Sequence, residues 1–221
     1  MEKILIFGNS QLAEVVSYYI NNDSKYEICG YVVDDEYIKN TDFFLKKPLI
    51  PFSSLNDNNY SVKEYKFLVA IGYRNMNIIR KEKYEKIKKL GYGFVSYLNS
   101  QSQIHTKTIG ENCIILENNT IQPFVKIGNN CIIWSGNHIG HHSEISDHCF
   151  ISSHVVISGG CQIKENAFIG VNATFRDHIK IGKYNLIGAG SLILADTEDN
   201  KVFLDAATGA SKVPSNRVKI T

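Results

Sequence analysis

The second half of the chain repeats an isoleucine every six residues. Between residues 109 and 193, fifteen consecutive positions at this spacing carry fourteen isoleucines and one phenylalanine. An α-helix with 3.6 residues per turn would spread this set around its circumference, and an ordinary sheet does not require one residue type at such intervals. A parallel β-helix does, because three hexads form one triangular coil and each isoleucine projects inward onto the isoleucine of the next coil. The spacing therefore predicts a β-helix of five coils.

Small residues at a fixed position before the repeat isoleucines support this interpretation. Four of the five cysteines lie two residues before a repeat isoleucine, namely Cys113, Cys131, Cys149 and Cys161. The first three are 18 residues apart, which is one coil, so they are expected to stack in a column. No pair has the C-x-x-C spacing of a zinc or redox site. The sequence therefore predicts packing for these four cysteines and no special role for Cys29.

The first hundred residues follow a different pattern. Apolar strands are predicted at residues 3–8, 25–35, 65–73 and 94–99, and amphipathic helices at 9–20 and 75–93. Strands that alternate with helices favour an α/β domain with a parallel sheet of Rossmann type, whose ligand crevice lies at the carboxyl ends of the strands. A polar stretch without periodicity follows. It predicts a boundary between a nucleotide-type sheet domain at 1–100 and a solenoid domain with a C-terminal tail at 101–221.

Residues at three predicted strand ends are candidates for binding a nucleotide: Gly8, Asn9, Ser10, Asp34, Asp35, Ile71 and Gly72. A glycine turn that leads into a helix N-terminus can hold a phosphate, and an acid after the second strand can bind a ribose or a base. The complete G-x-G-x-x-G motif is absent, because Ala13 stands where a late glycine belongs. The pattern therefore disfavours a dinucleotide cofactor, and plain tight turns are the alternative to a binding site.

Charge and hydropathy argue against several classes of partner. The formal net charge is +2, with acidic and basic residues interspersed, so the chain has no basic stretch typical of nucleic-acid or anionic-membrane binding. No apolar run approaches the length of a membrane span, and the first residues lack the pattern of a signal peptide. The sequence predicts a cytoplasmic protein.

Taken together, the motifs resemble a known family. The segments ILIFGNSQLAEVV, YVVDD and VAIGYRNMNIIRKEKYEKI, followed by the solenoid with HIGHHSEISDHCFISSHVVISGG, are similar to bacterial sugar acyltransferases. These enzymes N-acetylate a nucleotide-linked 4-amino-4,6-dideoxysugar for surface polysaccharide, and sialic acid O-acetyltransferases are their relatives. The resemblance implies a left-handed β-helix and a homotrimer with active sites between neighbouring solenoids. It also implies a nucleotide sugar on the sheet domain and acetyl-CoA, without a metal, along the solenoid.

The same resemblance assigns catalytic roles. It places the general base on His141, and an imidazole suits this role because it titrates near neutral pH. Gly159, one coil further on, matches the position where a backbone N–H stabilises the oxyanion. Relatives commonly have a glutamate directly after the base, whereas this chain has His142. Glu144, Asp147, a residue of the next subunit or a backbone carbonyl is therefore expected to orient His141.

Other positions are matched to the two substrates. Gly170, Val171 and Ala189 fall where the family contacts acetyl-CoA through its backbone. Lys212, in the divergent C-terminal segment, is a candidate for the CoA phosphates. Some relatives have a second histidine nine residues after the base, where this chain has Phe150. The acceptor pocket is therefore expected to differ from that of the relatives.

Three alternatives remain at this point. A sugar O-acetyltransferase of the sialic acid type would use the same base. A β-helical zinc enzyme like carbonic anhydrase would bind its metal with His105, His138 and His142 from neighbouring subunits. A non-enzymatic scaffold would bind a nucleotide sugar without turnover. The parent protein would then transfer no acetyl group, and a His141→Ala variant would still bind the sugar.

Overall fold

The computed structural model describes residues 1–38, 42–56 and 59–204. The first part is an α/β domain with helices α1 (Gln11–Asp23) and α2 (Ile78–Lys89) and strands β1 (Glu2–Phe7), β2 (Tyr26–Val33), β3 (Phe43–Phe44), β4 (Lys47–Pro51) and β5 (Lys66–Val69). Short 3₁₀ turns cover Asp35–Tyr37 and Phe52–Asn56. The strand order is β3-β4-β2-β1-β5, and every pair except β3 with β4 is parallel.

The sheet is apolar because it is covered on both faces. All residues of β1 from Ile4 to Phe7 are buried, as expected for a central parallel strand. The α1 helix packs through Val16 and Ile20, both fully buried. The α2 helix begins at Ile78 rather than at the predicted residue 75, because residues 75–77 have positive φ angles and form a turn instead.

One predicted strand of this domain is wrong. The segment 94–99 does not form a fourth strand of the sheet. Phe94 makes a single bridge to Phe67, whereas Tyr97–Leu98 already pairs with Ile114–Ile115 in the solenoid. The sequence analysis also missed β3 and β4, which are short and lie between polar turns. The domain boundary near residue 100 stays a prediction.

The rest of the described chain is a parallel β-helix with three faces built from two-residue strands. Face one contains β6 (Tyr97–Leu98), β8 (Ile114–Ile115), β11 (Ile132–Ile133), β14 (Phe150–Ile151), β17 (Phe168–Ile169), β20 (Leu186–Ile187) and β22 (Val202–Phe203). Face two contains β7 (Gln103–Ile104), β9 (Thr120–Ile121), β12 (His138–Ile139), β15 (Val156–Ile157), β18 (Thr174–Phe175) and β21 (Leu192–Ile193). Face three contains β10 (Lys126–Ile127), β13 (Glu144–Ile145), β16 (Gln162–Ile163) and β19 (Lys180–Ile181). The predicted α/β domain followed by a parallel β-helix is confirmed.

The repeat isoleucines form the core of this solenoid. From Ile115 to Ile187 every repeat residue is at most 3% exposed, and each one faces its equivalent in the next coil. Burying one such side chain contributes roughly 1.5 to 3 kcal/mol. Ile104 and Phe203 extend the core beyond the predicted five coils. The four solenoid cysteines are buried free thiols within it, so the predicted packing role is confirmed.

The turns between faces repeat as regularly as the core. A residue with a left-handed backbone occurs at every sixth position from Asn112 to Gly190, three residues after each inward side chain. Asparagine, histidine and glycine tolerate this conformation better than other residues. Four of the seven histidines occupy such positions, namely His142, His148, His154 and His178. Turn geometry therefore explains these four residues without any chemical role.

The three corners of the solenoid are named by the faces that they join. Corner 1–2 comprises residues 134–136, 152–154, 170–172 and 188–190. Corner 2–3 comprises residues 122–124, 140–142, 158–160 and 176–178. Corner 3–1 comprises residues 110–112, 128–130, 146–148, 164–166 and 182–184.

The α/β domain packs on face one and corner 3–1 through the buried Arg80 of α2. The Arg80 guanidinium donates hydrogen bonds to the carbonyl oxygens of Val69 and Ile71 in the α/β domain. It also donates to those of Asn112, at 2.9 Å, and Asn130, at 3.3 Å, in corner 3–1. Burial lowers the pKa of Arg80 to about 10. One side chain thus joins the end of β5 to two successive coils.

A ladder of side chains at corner 3–1 completes this junction. The Asn112 amide donates to the Asn130 side-chain oxygen at 2.6 Å, and the Asn130 amide nitrogen lies 2.9 Å from Nδ1 of His148. His148 is only 7% exposed and packs against the Tyr84 ring. Burial lowers the pKa of His148 to about 4, so its imidazole is neutral at pH 7.

No helix in the described ranges is long and apolar enough to span a membrane.

Candidate active site

A crevice of about 700 Å³ lies at the carboxyl ends of β1, β2 and β5. Six of the seven candidate nucleotide-binding residues line it, namely Gly8, Asn9, Ser10, Asp34, Ile71 and Gly72. The three strands are neighbours in the sheet, so their following loops meet at one edge. The geometry therefore brings together residues that the sequence separates by more than sixty positions.

One part of the crevice is built from the backbone after β1. Gly8 has a φ of +123°, and a Cβ at this position would lie 2.8 Å from the Ala70 carbonyl oxygen, so only glycine fits. Ser10 is the N-cap of α1 and makes no side-chain cap hydrogen bond. The first N–H groups of α1, near Gln11 and Leu12 in the crevice wall, are therefore oriented to bind an anion.

The crevice wall also carries an ion pair. Lys83 of α2 donates a hydrogen bond to Asp34 at 2.5 Å, and only 12% of the Lys83 side chain is exposed. The sequence analysis missed Lys83, because it is one of many lysines on a charged helix, and it also missed Tyr37 and Arg74 in the crevice wall. The Asp35 carboxylate instead accepts a hydrogen bond from the Ser53 N–H at 3.1 Å. Hydrogen bonds from the side chain and then the backbone of Ser53 lower the pKa of Asp35.

His141 lies at corner 2–3, on the surface. Its backbone N–H donates to Oε1 of Gln122 at 2.8 Å, and its Nδ1 lies 3.1 Å from Nδ1 of His142. The His142 ring packs against the Phe124 ring with centroids 4.7 Å apart. Both histidines are exposed. His142 therefore occupies a turn position while it contacts the imidazole of His141.

The His141 ring lies across Gly159 in the next coil. A Cβ on Gly159 would come within 2.8 Å of Nε2 of His141, so the imidazole fills the space that a side chain would need. The Gly159 N–H has no hydrogen-bond partner among the described residues. At the same turn position of corner 3–1, the N–H groups of Glu111 and Asn129 donate to side chains of the next coil. Corner 2–3 thus leaves a free donor beside an imidazole.

The acids predicted to orient His141 do not contact it within the described chain. The Asp147 carboxylate accepts hydrogen bonds from the backbone and side chain of Asn129. Glu144 lies on the exposed side of β13 on face three. The contact to Nδ1 of His141 comes from His142 instead. An orienting role for Glu144 stays a prediction. It would require Glu144 of one chain to contact His141 of a neighbouring chain.

The predicted acetyl-CoA residues share another corner. Gly170, Val171 and Ala189 lie at corner 1–2, where Val171 and Ala189 are exposed and a Cβ on Gly170 would lie 2.6 Å from the Ala189 nitrogen. These turns of corner 1–2 therefore expose backbone atoms at the protein surface. Lys212 lies outside the described residues. Where the chain is described, no three His, Cys, Asp or Glu side chains form a group that could hold a metal ion.

The crevice and His141 are on different sides of the chain. The α/β domain covers face one, whereas corner 2–3 joins the other two faces. None of the residues that line the crevice belongs to corner 2–3. A single chain therefore does not bring the crevice and His141 together.

Comparisons with known proteins bear on the whole arrangement. The model of the PglD N-terminal domain matches residues 3–87, and the model of the bacterial transferase hexapeptide (six repeats) matches residues 106–141, 125–159 and 160–195. The chain belongs to the PglD-type family of hexapeptide-repeat bacterial transferases. A search of curated protein sequences finds no significant match to this chain.

Solved structures of similar fold cover nearly the whole chain. A histidine-to-asparagine mutant of perosamine N-acetyltransferase from Caulobacter crescentus, in complex with CoA and GDP-perosamine, has a TM-score of 0.78 at 21% identity. It covers 93% of this chain and 94% of its own. WeeI from Acinetobacter baumannii AYE has a TM-score of 0.74 at 16% identity, with 91% and 96% covered. The acetyltransferase domain of PglB from Neisseria gonorrhoeae FA1090 has a TM-score of 0.61 at 20% identity, with 93% and 97% covered. At these identities the likeness establishes the fold.

Proposed function

We propose that this protein transfers an acetyl group from acetyl-CoA to the amino group of a nucleotide-linked 4-amino-4,6-dideoxyhexose. The product would serve the synthesis of a surface polysaccharide. The family supports this proposal, as do similar folds crystallised with CoA and GDP-perosamine and with acetyl coenzyme A. The observation that carries it is the His141 imidazole lying across Gly159, whose N–H is free among the described residues.

The chemistry follows from these two groups. The sugar amine attacks the thioester carbonyl carbon, and His141 accepts the proton that the nitrogen loses. The carbonyl oxygen becomes an oxyanion, and the Gly159 N–H stabilises it. The C–S bond then breaks, and the CoA thiolate leaves and takes a proton from the His141 imidazolium. No covalent intermediate with the protein is needed.

The substrates must meet between chains. His141 lies away from the crevice of its own chain, so we propose a cytoplasmic homotrimer in which His141 of one chain faces the crevice of the next. Exposed apolar side chains on and beside face two support such packing: Phe124 is 68% exposed, Val156 is 39% exposed and Leu192 is 62% exposed. The left-handed sense of the coil and a Rossmann-type nucleotide site belong to the same proposal.

The nucleotide would occupy the 700 Å³ crevice. The N-terminus of α1 would bind the diphosphate, because its free N–H groups and its dipole favour anions. Asp34 would accept hydrogen bonds from the ribose or the base, with Lys83 holding its carboxylate in place. Gly170, Val171 and Ala189 would contact acetyl-CoA at corner 1–2.

Release of CoA in the presence of UDP-, dTDP-, GDP- and CMP-linked amino sugars tests the activity and identifies the nucleotide. The His141→Ala variant should lower kcat/KM by about a hundredfold or more, while the oligomer persists. His105→Ala is the matched control, since His105 is exposed, has no left-handed backbone and lies outside corner 1–2. Unchanged turnover in His141→Ala would remove the base assignment, and hydratase activity that depends on retained zinc would favour the carbonic-anhydrase alternative.

A further inference from the structure

A second cavity, of about 470 Å³, lies where α1 approaches the solenoid. Leu12 and Val15 of α1 form one wall, and the rings of Tyr73, Trp134 and Phe150 form the other. We call this cavity the aromatic groove. The lining of the aromatic groove is mainly apolar. Gln11 contributes an amide group and Glu14 a carboxylate, and the other lining side chains carry neither.

The aromatic groove continues directly from the crevice. Gln11, Leu12, Gly72 and Tyr73 line both cavities. Asp34 and Lys83 line only the crevice, Gln11 and Leu12 at the N-terminus of α1 line both cavities, and Trp134 and Phe150 line only the groove. This is the order in which a nucleotide sugar carries its nucleoside, its diphosphate and its sugar.

The aromatic wall is held firmly in place. Phe150 is 4% exposed and stacks on Phe168 with an interplanar angle of 15°. The Tyr73 ring contacts both phenylalanines at centroid distances of 4.8 Å. Rings with this many neighbours cannot turn away easily, so the wall has a fixed shape.

Trp134 connects the groove to the proposed acetyl-CoA residues. Trp134 and Gly170 occupy the same turn position of corner 1–2, two coils apart. Adjacent strands are about 4.8 Å apart, so the two residues are separated by roughly 10 Å along the solenoid. A sugar in the groove would therefore lie near acetyl-CoA bound along corner 1–2 of the same chain.

We propose that the aromatic groove binds the sugar of the nucleotide sugar, and that Trp134 and Phe150 select a 6-deoxyhexose. This inference rests on the proposed function. The C–H face and the 6-methyl group of such a sugar can pack against the rings, which displaces water from apolar surface. A 6-hydroxyl group would lose hydrogen bonds to water on the same wall. Glu14 and Gln11 remain to bind the sugar's hydroxyl or amino groups.

Calorimetry on the intact protein, without acetyl-CoA, tests this proposal. The probes are UDP, dTDP and GDP, each compared with its 4-amino-4,6-dideoxyhexose form and with the 6-hydroxy analogue of that form. Trp134→Ala should weaken the deoxyhexose form about tenfold and leave the affinity for the free diphosphate within about twofold. The parent should prefer the 6-deoxy form by about tenfold, and the variant should lose this preference.

Two further variants keep the result interpretable. Phe150→Leu should show the same selective loss, so the test does not depend on one substitution. Tyr18→Ala is the control, because Tyr18 is an α1 aromatic that is 67% exposed outside the groove. It should bind all probes as the parent does.

Equal weakening of the free diphosphate and the sugar form by Trp134→Ala would contradict the proposal. So would unchanged affinity for the sugar form, or a changed oligomeric state, which would show that a second chain fills the groove. A parent protein that binds the sugar form but transfers no acetyl group would contradict the proposed function alone. The Trp134 comparison would then still decide what the groove binds.

Discussion

Corner 2–3 and corner 3–1 have the same backbone and opposite environments. His142 and His148 occupy equivalent turn positions, with φ angles of 58° and 63°. His148 is buried under the α/β domain and hydrogen-bonded to Asn130, whereas His142 is exposed beside His141. The Asn129 N–H is paired at one corner, and the Gly159 N–H is free among the described residues at the other. The repeat supplies the same backbone at both corners, and the neighbouring side chains decide whether its N–H groups are paired.

The largest effect is expected at the covered corner. Arg80→Met removes a guanidinium that donates to four carbonyl oxygens across the two domains. Leaving these buried acceptors unpaired should lower the free energy of unfolding by about 3 kcal/mol or more. Urea denaturation measures this change. Arg176→Met, at an exposed position of corner 2–3, is the control and should change stability little.

The next effect is on catalysis at the open corner. Gly159→Ala places a Cβ where the His141 ring lies, so the imidazole must move. Turnover should fall about a hundredfold, comparable to the loss of an oxyanion donor or a base. Because the displaced atoms are the end of an exposed side chain, the thermal midpoint should stay near that of the parent. A variant with full activity would show that the stacked ring and the free N–H are not a catalytic pair.

A smaller effect distinguishes the two corners by pH. Burial lowers the pKa of His148 to about 4, below the value of about 6.5 for an unfolded histidine. The unfolded chain therefore binds more protons between these values, and stability should be complete above pH 6.5 and decline as the pH falls towards 4. By pH 4, His148 should contribute about 3 kcal/mol to this decline.

The His148→Asn variant is the control for this pH dependence. Asparagine already occupies the same turn position at Asn112, Asn130 and Asn166, so the backbone should accept it. Stability curves measured from pH 7 to pH 4 should be flatter for the variant than for the parent. Parallel curves would mean that His148 is accessible to protons in the folded protein.

The smallest effect concerns the support of the catalytic histidine. Phe124→Ala removes the ring that packs on His142, and His142 in turn contacts His141. The value of kcat should fall about threefold, in keeping with the loss of one aromatic contact. Steady-state kinetics at saturating acetyl-CoA measure it. Because Phe124 is also proposed to pack between chains, the oligomeric state is measured in parallel. A fall in kcat that occurs only with dissociation would contradict the support of His142 by Phe124.

The solenoid could be predicted almost completely from sequence, because each hexad carries its own signal. Repeat residues such as Ile115 and Ile187 have equivalent surroundings in their own coils. The turn positions favour asparagine, glycine or histidine because of their backbone conformation. This regularity also separates His141 from the turn histidines. His141 is not at a left-handed position, so turn geometry does not account for it.

The features that could not be predicted from the sequence depend on contacts between distant segments. Burial of His148 follows from the docking of α2 on corner 3–1, which no local pattern records. Lys83 is indistinguishable from other helix lysines until the fold brings it to Asp34, which follows β2. The segment at 94–99 reads as an ordinary apolar strand, and only its pairing with Ile114–Ile115 assigns most of it to the solenoid. Short strands carry too few residues to reveal their partners.

The central claim is that His141 of one chain acts on a substrate held by another, and coexpression of two inactive variants tests it most directly. One variant is His141→Ala. The other is Gly72→Asp, which fits because nothing lies within 4 Å of a Cβ at this position, and which places a negative charge in the crevice where a diphosphate would bind.

Random mixing of the two chains in a trimer gives intact His141 and an intact crevice at about one interface in four. The account predicts that the purified mixture regains about a quarter of the parent activity, while each variant alone stays near background. If the mixture stays as inactive as its separate components, although the two tagged chains copurify, the site is not shared between chains and the account is contradicted.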